Sequence, residues 1–389
     1  MQVNAQYVRS GNIQILNSRD MRATYILPDQ KASMIESFIQ FDADNEVQSV
    51  IFLMADKDAY ESTTLASVFK NFNKPIIGGI FPELIHKGER KSEGILIIQL
   101  PFKLNTLLFD LTQTSEQFLS NLHRFQIASP DTPSSVFVFT DALAPRKEAF
   151  IHALFNFYGI YPTYIGGSTG SLSFQPIPSI INNEGIHPNS AVIGWVDKKM
   201  ALGVAHGWNS ISEPLKITGV DKYHLTSLNW QPAFNVYKRI VETHSGSRFD
   251  DENFFSIARS YPLGISKMDA EKVVRDPFRV SGDSLILVDQ VNEGEYIEIL
   301  CGDMNSLLQG ARHARQMAIN LRTPNMDQQG VFCIDCISRA LFMEHSFNQE
   351  LQLVGQGLEV NGMLSIGEIA NSEASFLEIY NKTVVVGIW

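Results

Sequence analysis

Three stretches of this chain share one order of elements, and this repetition constrains the fold more than any other feature. Each stretch reads as an apolar strand, an amphipathic helix, a short strand, a glycine turn, a variable loop and a final apolar strand. The three stretches begin at Val50, Val136 and Val331. Because repeated units place their parts at equivalent positions, the sequence predicts related sheets in which the glycine turns are equivalent backbone corners.

The predicted fold class is α/β, with two packed domains whose sheets are built from three related strand-helix-strand-glycine turn-strand units. The predicted glycine turns are Gly78 with Gly79, Gly166 with Gly167, and the segment from Gly362 to Glu368, which includes Gly367. Polar turns become more frequent after His206-Gly207-Trp208. This change favours a first domain at residues 1–200 and a second at 201–389. Within the second domain, Asp303 is a predicted N-cap of a helix that carries Leu307.

Composition narrows the class of protein. The 389 residues are 44% hydrophobic and 19% charged, as expected for an ordinary globular protein. A net charge of −11 argues against a nucleic-acid partner, because phosphate binding needs concentrated Lys and Arg. Three cysteines provide no disulfide framework. With neither a signal core nor an apolar run of roughly 20 residues, the sequence predicts no membrane partner and a cytoplasmic location.

Several short motifs occur in a specific order. In the first half they are Pro75-Ile76-Ile77-Gly78-Gly79, Ile165-Gly166-Gly167-Ser168 and His206-Gly207-Trp208. In the second half they are Tyr261-Pro262-Leu263, Val274-Arg275-Asp276, Val291-Asn292-Glu293-Gly294, Cys336-Ile337-Ser338-Arg339, Gly367-Glu368-Ile369 and Asn381-Lys382-Thr383. Together they resemble the FIST family of sensory domains, over nearly the whole chain and in the order N-terminal then C-terminal domain. The family often has Gly where Ser338 precedes Arg339 here.

The resemblance implies binding rather than turnover. FIST domains are proposed to sense small ligands, usually amino acids or related metabolites, and to pass that state to a signalling partner. The expected partners are therefore a small-molecule ligand and a separate protein such as a histidine kinase. Some stand-alone members resemble haem-carrying nitric-oxide sensors that regulate a histidine kinase, which is the alternative function. No cofactor is expected, with haem b as the alternative.

The best candidate ligand site lies at the tip of the first strand of the third unit. Ligands of α/β sheets bind beyond the carboxyl ends of strands, where Cys336 and Arg339 fall. The turn that contains Gly367 and Glu368 is predicted to end the neighbouring strand. Arg339 offers a planar fork to a carboxylate and Glu368 offers an acceptor to an ammonium group, as a zwitterionic amino acid requires. The alternative is an internal Arg339–Glu368 ion pair that fastens the corner.

Two further residues are candidates for binding. Arg275 is a second possible anion contact, the alternative being an ion pair with Asp276 or another acid. His206 is the candidate haem ligand, because its small neighbours would let a flat ring approach, although a packed histidine is the more ordinary interpretation. Cys333-Ile334-Asp335-Cys336 is a lone Cys-x-x-Cys motif, and a zinc site would need two more ligands, so no metal is predicted.

An enzyme is the weaker interpretation. The sequence contains no Gly-x-Ser-x-Gly elbow, P-loop or His-Glu-x-x-His motif. A nucleophilic Cys336 with a distant histidine stays open as an alternative. A scaffold role is a third class. The prediction is a sensory protein that is not an enzyme.

Overall fold

Three six-stranded sheets with the same strand order form the body of the protein. The structure, a computed structural model, describes residues 21–57, 62–129, 132–250, 252–267, 271–322, 330–371 and 376–388. The elements of the first unit are β1 (Arg22–Ile26), α1 (Lys31–Ala43), β2 (Ser49–Ala55), α2 (Ser62–Asn71), β3 (Ile76–Phe81), β4 (Glu83–His86), β5 (Glu89–Lys91) and β6 (Ile95–Leu100). Those of the second unit are β7 (Asn105–Asp110), α3 (Ser115–Ala128), β8 (Ser135–Asp141), α4 (Lys147–Tyr158), β9 (Thr163–Thr169), β10 (Ile180–Asn182), β11 (Gly185–His187) and β12 (Ser190–Val196).

An insertion interrupts the third unit after its first strand, β13 (Ala201–Ala205). The insertion comprises β14 (Asn209–Ser210), β15 (Leu215–Asp221), β16 (His224–Leu228), β17 (Gln231–Pro232), α5 (Ala233–Ser245), α6 (Phe254–Ala258), β18 (Leu263–Ile265), β19 (Val273–Arg275), β20 (Pro277–Ser281), β21 (Ser284–Leu287) and β22 (Tyr296–Cys301). The unit resumes with α7 (Met304–Asn320), β23 (Gly330–Cys336), α8 (Ile337–Met343), a 3-10 turn (Glu344–Ser346), α9 (Phe347–Gly355), β24 (Glu359–Ser365), β25 (Glu368–Asn371), β26 (Leu377–Tyr380) and β27 (Val384–Ile388). The strands of the insertion form their own sheet.

The three units have the same strand pairing, which confirms the α/β prediction of three related units. In each unit two strands joined by a helix run parallel, as β2 with β3, β8 with β9 and β23 with β24. The last strand of each unit then returns antiparallel beside the first of these, as β6, β12 and β27 do. An edge strand (β1, β7 or β13) completes each sheet.

Each unit gives its hairpin to the sheet of another unit. The hairpin β4–β5 of the first unit pairs with β24 of the third, β10–β11 of the second pairs with β3 of the first, and β25–β26 of the third pairs with β9 of the second. The exchange therefore closes a ring of three sheets. The predicted division at residue 200 falls between β12 and β13, yet two of these hairpins cross it. That division stays a prediction, and its start at residue 1 lies outside the described residues.

The central strands are largely apolar because both of their faces are buried. In β2, Ile51 and Leu53 face the core that the three sheets share, while Val50 and Phe52 pack under helices α1 and α2. The strands β8 and β23 alternate in the same way, with α3 and α4 covering one outer face and α7, α8 and α9 the other. Phe137 and the third unit meet across the shared core. Helices thus lie outside and sheets face inward.

The predicted glycine turns of the first two units are wrong, because these residues lie within strands. Gly78 and Gly79 belong to β3, and Gly166 and Gly167 belong to β9. Gly166 sits opposite Val138, where an added Cβ would lie 1.6 Å from the carbonyl oxygen of that residue. The equivalent Gly78 and Gly362 would meet neighbouring carbonyl oxygens in the same way. Glycine is therefore required by close approach of parallel strands rather than by a turn.

Candidate functional site

The third unit differs from the other two at one buried position of its hairpin. Glu368 of β25 lies opposite Gly167, at the position that Leu84 and Ile180 hold in the other hairpins. All three side chains are buried, so a carboxyl group stands where the related units bury a hydrocarbon. A buried carboxyl group is unfavourable unless polar groups surround it. The departure from the repeat marks this junction as a candidate functional centre.

Polar groups of the third unit surround the Glu368 carboxyl group. Its Oε1 accepts a hydrogen bond from the Ser365 hydroxyl at 2.7 Å, and its Oε2 accepts one from the Thr383 N–H at 3.3 Å. Burial raises the pKa of Glu368 to about 8, against the opposing effect of these bonds and of one with the Cys336 thiol. Burial, and then the charge of Glu368, raises the pKa of Cys336 well above its usual range. The thiol is therefore protonated at neutral pH, which opposes a nucleophilic role.

Cys336 has a structural counterpart in the second unit. It ends β23 as Asp141 ends β8. The backbone N–H of Lys382 donates to Cys336, and the N–H of Asn189 donates to Asp141 at 2.9 Å. Both donors lie in left-handed turns, with φ of 50° at Lys382 and 45° at Asn189. The contact thus holds the same turn before the last strand in the second and third units.

Protein groups occupy every donor of Arg339, and the alternative of an internal Arg339–Glu368 ion pair is wrong, because Arg339 pairs with Asp335 and Glu350 instead. Its Nη2 donates to the two carboxylate oxygens of Glu350 at 2.9 and 2.7 Å, and its Nε donates to Oε1 of Glu350 at 3.2 Å and lies 3.3 Å from Oδ1 of Asp335. Its other hydrogen bonds go to the backbone carbonyls of His206, Leu307 and Lys382. Helix α9 begins soon after α8 and places Glu350 against Arg339. The Glu368 carboxyl group is instead hydrogen-bonded to Ser365 and Thr383. No donor of the guanidinium is left over for a ligand carboxylate.

The other predicted ligand residues also lie in the interior. Arg275 is 7% exposed and donates to the carbonyl oxygens of Gln290 at 3.0 Å and Ile379 at 2.8 Å. These bonds join the insertion to β26. The Gly367 carbonyl accepts a hydrogen bond from the Ser168 N–H at 2.7 Å. The ligand-binding roles of Cys336, Arg339, Gly367, Glu368 and Arg275 stay predictions, and each of these residues has internal partners.

A cleft of about 680 Å³ opens between the end of β13, helix α7 and the insertion. Its floor is His206-Gly207-Trp208, and its walls carry Glu271, Lys272, Gln309 and His313. The floor belongs to a motif that the sequence analysis singled out. Sequence reasoning missed the walls, because Glu271 lies 65 residues from His206 and in no motif. Only the fold of the insertion brings the two together.

Two glycines let helix α7 form one wall of the cleft. Asp303 caps this helix as predicted, since its side chain accepts a hydrogen bond from the Ser306 N–H at 2.8 Å. A Cβ at Gly310 would lie 2.7 Å from the backbone nitrogen of Gly207. A Cβ at Gly207, whose φ is 78°, would lie 2.2 Å from the Ser306 carbonyl oxygen. A larger side chain at either position would move α7 and reshape the cleft.

His206 is a buried, neutral imidazole at the floor of the cleft. Its side chain is 6% exposed, and its Nδ1 accepts a hydrogen bond from the Trp208 N–H at 2.8 Å. Burial, followed by the charges of Arg339 and Lys272, lowers the pKa of His206 to about 3. Because Nδ1 is an acceptor in a neutral ring, the proton resides on Nε2. That Nε2 is 3.3 Å from Oε1 of Glu271, but it has no hydrogen-bond partner among the described residues.

These contacts do not fit His206 as an axial haem ligand. Iron ligation needs a ring nitrogen with a free lone pair. The lone pair of Nδ1 is used by the Trp208 N–H, and Nε2 carries the proton. The haem alternative therefore has no support from this residue.

Charged groups of both signs face the cleft. Glu271 Oε1 accepts a hydrogen bond from the His206 N–H at 3.2 Å, and burial raises the pKa of Glu271. The ammonium group of Lys272 lies 2.9 Å from Oε1 of Glu298. His313 is exposed at the rim, on α7. The cleft can therefore contact an ammonium group and an acidic group of the same small molecule.

Trp208 and Lys382 join the cleft floor to the buried Glu368 centre. The Trp208 indole N–H donates to the Lys382 carbonyl at 3.0 Å, and the Lys382 ammonium group lies 5.4 Å from the centre of a Trp208 ring. The same ammonium group lies 3.2 Å from Oδ2 of Asp276. Since the Lys382 N–H also bonds Cys336, one residue separates the cleft floor from the polar centre.

The fold and the site define a class: an α/β binding protein of three interlocked units, with an open cleft beside an inserted sheet. Models of two known domains match the chain, the FIST N domain at residues 49–231 and the FIST C domain at residues 233–371. The chain therefore belongs to the FIST family, whose domains are sensory domains that bind small ligands in signal transduction. The junction of the two matches falls inside the insertion.

Comparison with other proteins adds little to the family assignment. A solved crystal structure of a chorismatase aligns over 95% of this chain and 99% of that chain, with 8% identity and a TM-score of 0.33. No curated protein matches the chain. Within the described ranges, no helix is long and apolar enough to cross a membrane. The described residues also hold no group of three or more His, Cys, Asp or Glu side chains placed for a metal ion.

Proposed function

We propose that this protein is a cytoplasmic sensor that binds an amino acid or a related small metabolite in the cleft beside β13. The observation that carries the proposal is the Glu271 carboxylate, which lies at the cleft wall beside the donor of His206. An ammonium group of a ligand would complete the hydrogen bonding of Glu271. The family assignment supports a sensory role for such a site.

In this proposal the bound state is passed to a separate signalling protein, such as a histidine kinase. The floor of the cleft contacts the third unit through Arg339 and Lys382, so that a shift of the floor acts on the buried centre. The proposal includes no turnover. The buried and protonated Cys336 thiol supports this, because a thiol in that state is a poor nucleophile.

The test is calorimetric titration of the full chain with each of the twenty common L-amino acids. We expect at least one to bind, and Glu271→Gln to weaken that binding about 10- to 100-fold through loss of a charge-assisted hydrogen bond. Glu295→Gln is the matched control, because the Glu295 side chain is also 27% exposed and does not line the cleft. Binding of no amino acid, or equal weakening by both variants, would contradict the proposal.

A further inference from the structure

The second sheet ends in an open edge strand, β7. Each of the three six-stranded sheets has two edge strands, which are β1, β5, β7, β11, β13 and β26, and β7 is the longest of them. Every residue of β13 is buried, and β26 is bonded to the insertion through Arg275, which donates to the Ile379 carbonyl. The residues of β7 from Asn105 to Leu108 are instead partly exposed. An open edge of this kind is a surface on which another strand can pair.

The backbone groups of two residues point away from the sheet at this edge. Antiparallel strands bond through alternate residues. The Leu111 N–H donates to the Asn189 carbonyl at 2.7 Å, in the register in which β7 pairs with β12, so the odd-numbered residues of β7 bond to β12. The N–H and C=O groups of Thr106 and Leu108 therefore face outward, and they bond to no other part of the described chain. Between its two ends β7 has neither a charge nor a proline, which are the features that usually keep a second strand away.

We propose that two copies of this chain pair edge to edge through β7, antiparallel about a twofold axis at Leu107. Thr106 of each copy then lies opposite Leu108 of the other, so that all of the outward N–H and C=O groups of these residues are bonded. The two Leu107 side chains meet at the axis, on the face that the helices cover, with their Cβ atoms about 5 Å apart. The pairing joins two six-stranded sheets into one, and it does not rest on the proposed ligand.

The neighbouring registers are less favourable, because they use backbone groups that are already bonded. An axis at Thr106 would pair Leu108 with Leu104, whose N–H already donates to a serine hydroxyl of β2 at 2.8 Å. An axis at Leu108 would pair Thr106 with Asp110, whose carbonyl already accepts a hydrogen bond at 3.2 Å from the turn that follows β7. Only the axis at Leu107 pairs the outward groups with one another.

The charges at the two ends of β7 fit a second copy of the chain. Before the strand, Lys103 is exposed, and the Lys198 ammonium group lies 5.4 Å from the centre of the Phe102 ring. At the other end, Asp110 is exposed, and Glu116 is exposed in the first turn of α3. An antiparallel pair about a twofold axis brings the positive end of each copy to the negative end of the other. The edge is therefore complementary to itself, as a twofold interface requires.

The oligomeric state of the full chain tests the proposal. Sedimentation velocity of the wild-type protein between about 1 and 100 µM should show a reversible shift from monomer to dimer, because an interface of edge strands is small. Leu107→Lys and Leu107→Glu each place like charges opposite one another at the axis and should weaken the dimer at least about tenfold. An equal mixture of the two variants brings opposite charges together there and should restore a mixed dimer. Leu358→Lys is the matched control, because Leu358 is also a partly buried leucine but lies in the third unit.

A wild-type protein that stays monomeric up to about 100 µM overturns the proposal, and this result needs no variant. Dimers of Leu107→Lys and Leu107→Glu as stable as the wild-type dimer, or equal weakening by Leu358→Lys, would show that β7 is not the surface. A milder variant tests the axis: oxidation should cross-link Leu107→Cys as a dimer, whereas Thr106→Cys and the wild-type protein should stay uncross-linked. Cross-linking of both variants to the same extent, or of neither, overturns the register.

Discussion

Removal of the Arg339 guanidinium should destabilise the third unit strongly. Arg339 and its partner Glu350 are fully buried, and Asp335 is as well. Burial raises the pKa of Asp335 well above its usual range, so the charge left without a partner in Arg339→Met is chiefly that of Glu350. Breaking a buried ion pair by removing one partner destabilises a protein by about 3–5 kcal/mol. We expect a loss of about 4 kcal/mol in the free energy of unfolding.

Denaturant unfolding followed by circular dichroism measures this loss of stability. Two further variants show whether the unpaired buried charge is its cause. Arg339→Met combined with Glu350→Met removes both charges and should recover at least about 2 kcal/mol, since the orphaned carboxylate is gone. Arg90→Met is the matched control, because the Arg90 guanidinium also donates two hydrogen bonds to one carboxylate. Its Nε and Nη2 lie 2.8 and 2.9 Å from the carboxylate oxygens of Glu83. Its side chain is 25% exposed, so we expect a loss of only about 1 kcal/mol. Equal losses for Arg339→Met and Arg90→Met, or no recovery in the double variant, would refute the reasoning.

Two other predictions concern the repeat. Because the folded-state pKa of Glu368 is about 8 and its ordinary value is 4.5, the folded protein holds a proton that the unfolded chain releases, so stability is lost as pH rises from 4.5 through 8. Glu368→Gln stays neutral, so its free energy of unfolding should fall less between pH 5 and pH 9 than that of the wild-type protein, by up to about 4 kcal/mol. Identical pH profiles in denaturant unfolding would count against the buried acid. Gly166→Ala places a Cβ 1.6 Å from the Val138 carbonyl oxygen and should lower the free energy of unfolding by about 3 kcal/mol. Gly330→Ala, whose nearest atom would be 3.6 Å away, should change it little, and similar thermal shifts for both variants would contradict the packing argument.

Local patterns predicted the units of the fold but not their assembly. A strand such as Val331 to Ile334 reads as buried because every residue is apolar, and the structure buries both of its faces. The N-cap at Asp303 was predictable from the sequence, because a side-chain oxygen just before a helix accepts hydrogen bonds from the free N–H groups of the first helical turn. The sheet that each hairpin joins could not be predicted. Strand periodicity shows which residues lie on the same face of a strand, but it does not show with which other strand the hairpin pairs.

In the candidate site, too, features set by neighbouring residues in the sequence were predictable, and contacts between residues distant in the sequence were not. The position of Cys336 at a strand end was predictable from alternation and from the helix that follows. The partner of Arg339 was not, because Glu350 and Glu368 are both acids at compatible distances along the chain. Similarly, nothing local to Glu271 indicates that it lies 3.3 Å from the His206 ring. Contacts of this kind depend on loop geometry, which one sequence without its fold does not specify.

The exchange of hairpins sets the order in which the chain can finish folding during its synthesis. The first sheet needs β10–β11, so it can close only after residue 187 has been made. The second sheet needs β25–β26 and waits until residue 380, close to the last described strand. The hairpin β4–β5, among the first segments made, has no sheet to join until β24 emerges. Unpaired strand edges therefore persist through most of translation, and chaperones that cover such edges should matter more for this protein than for one whose units close on themselves.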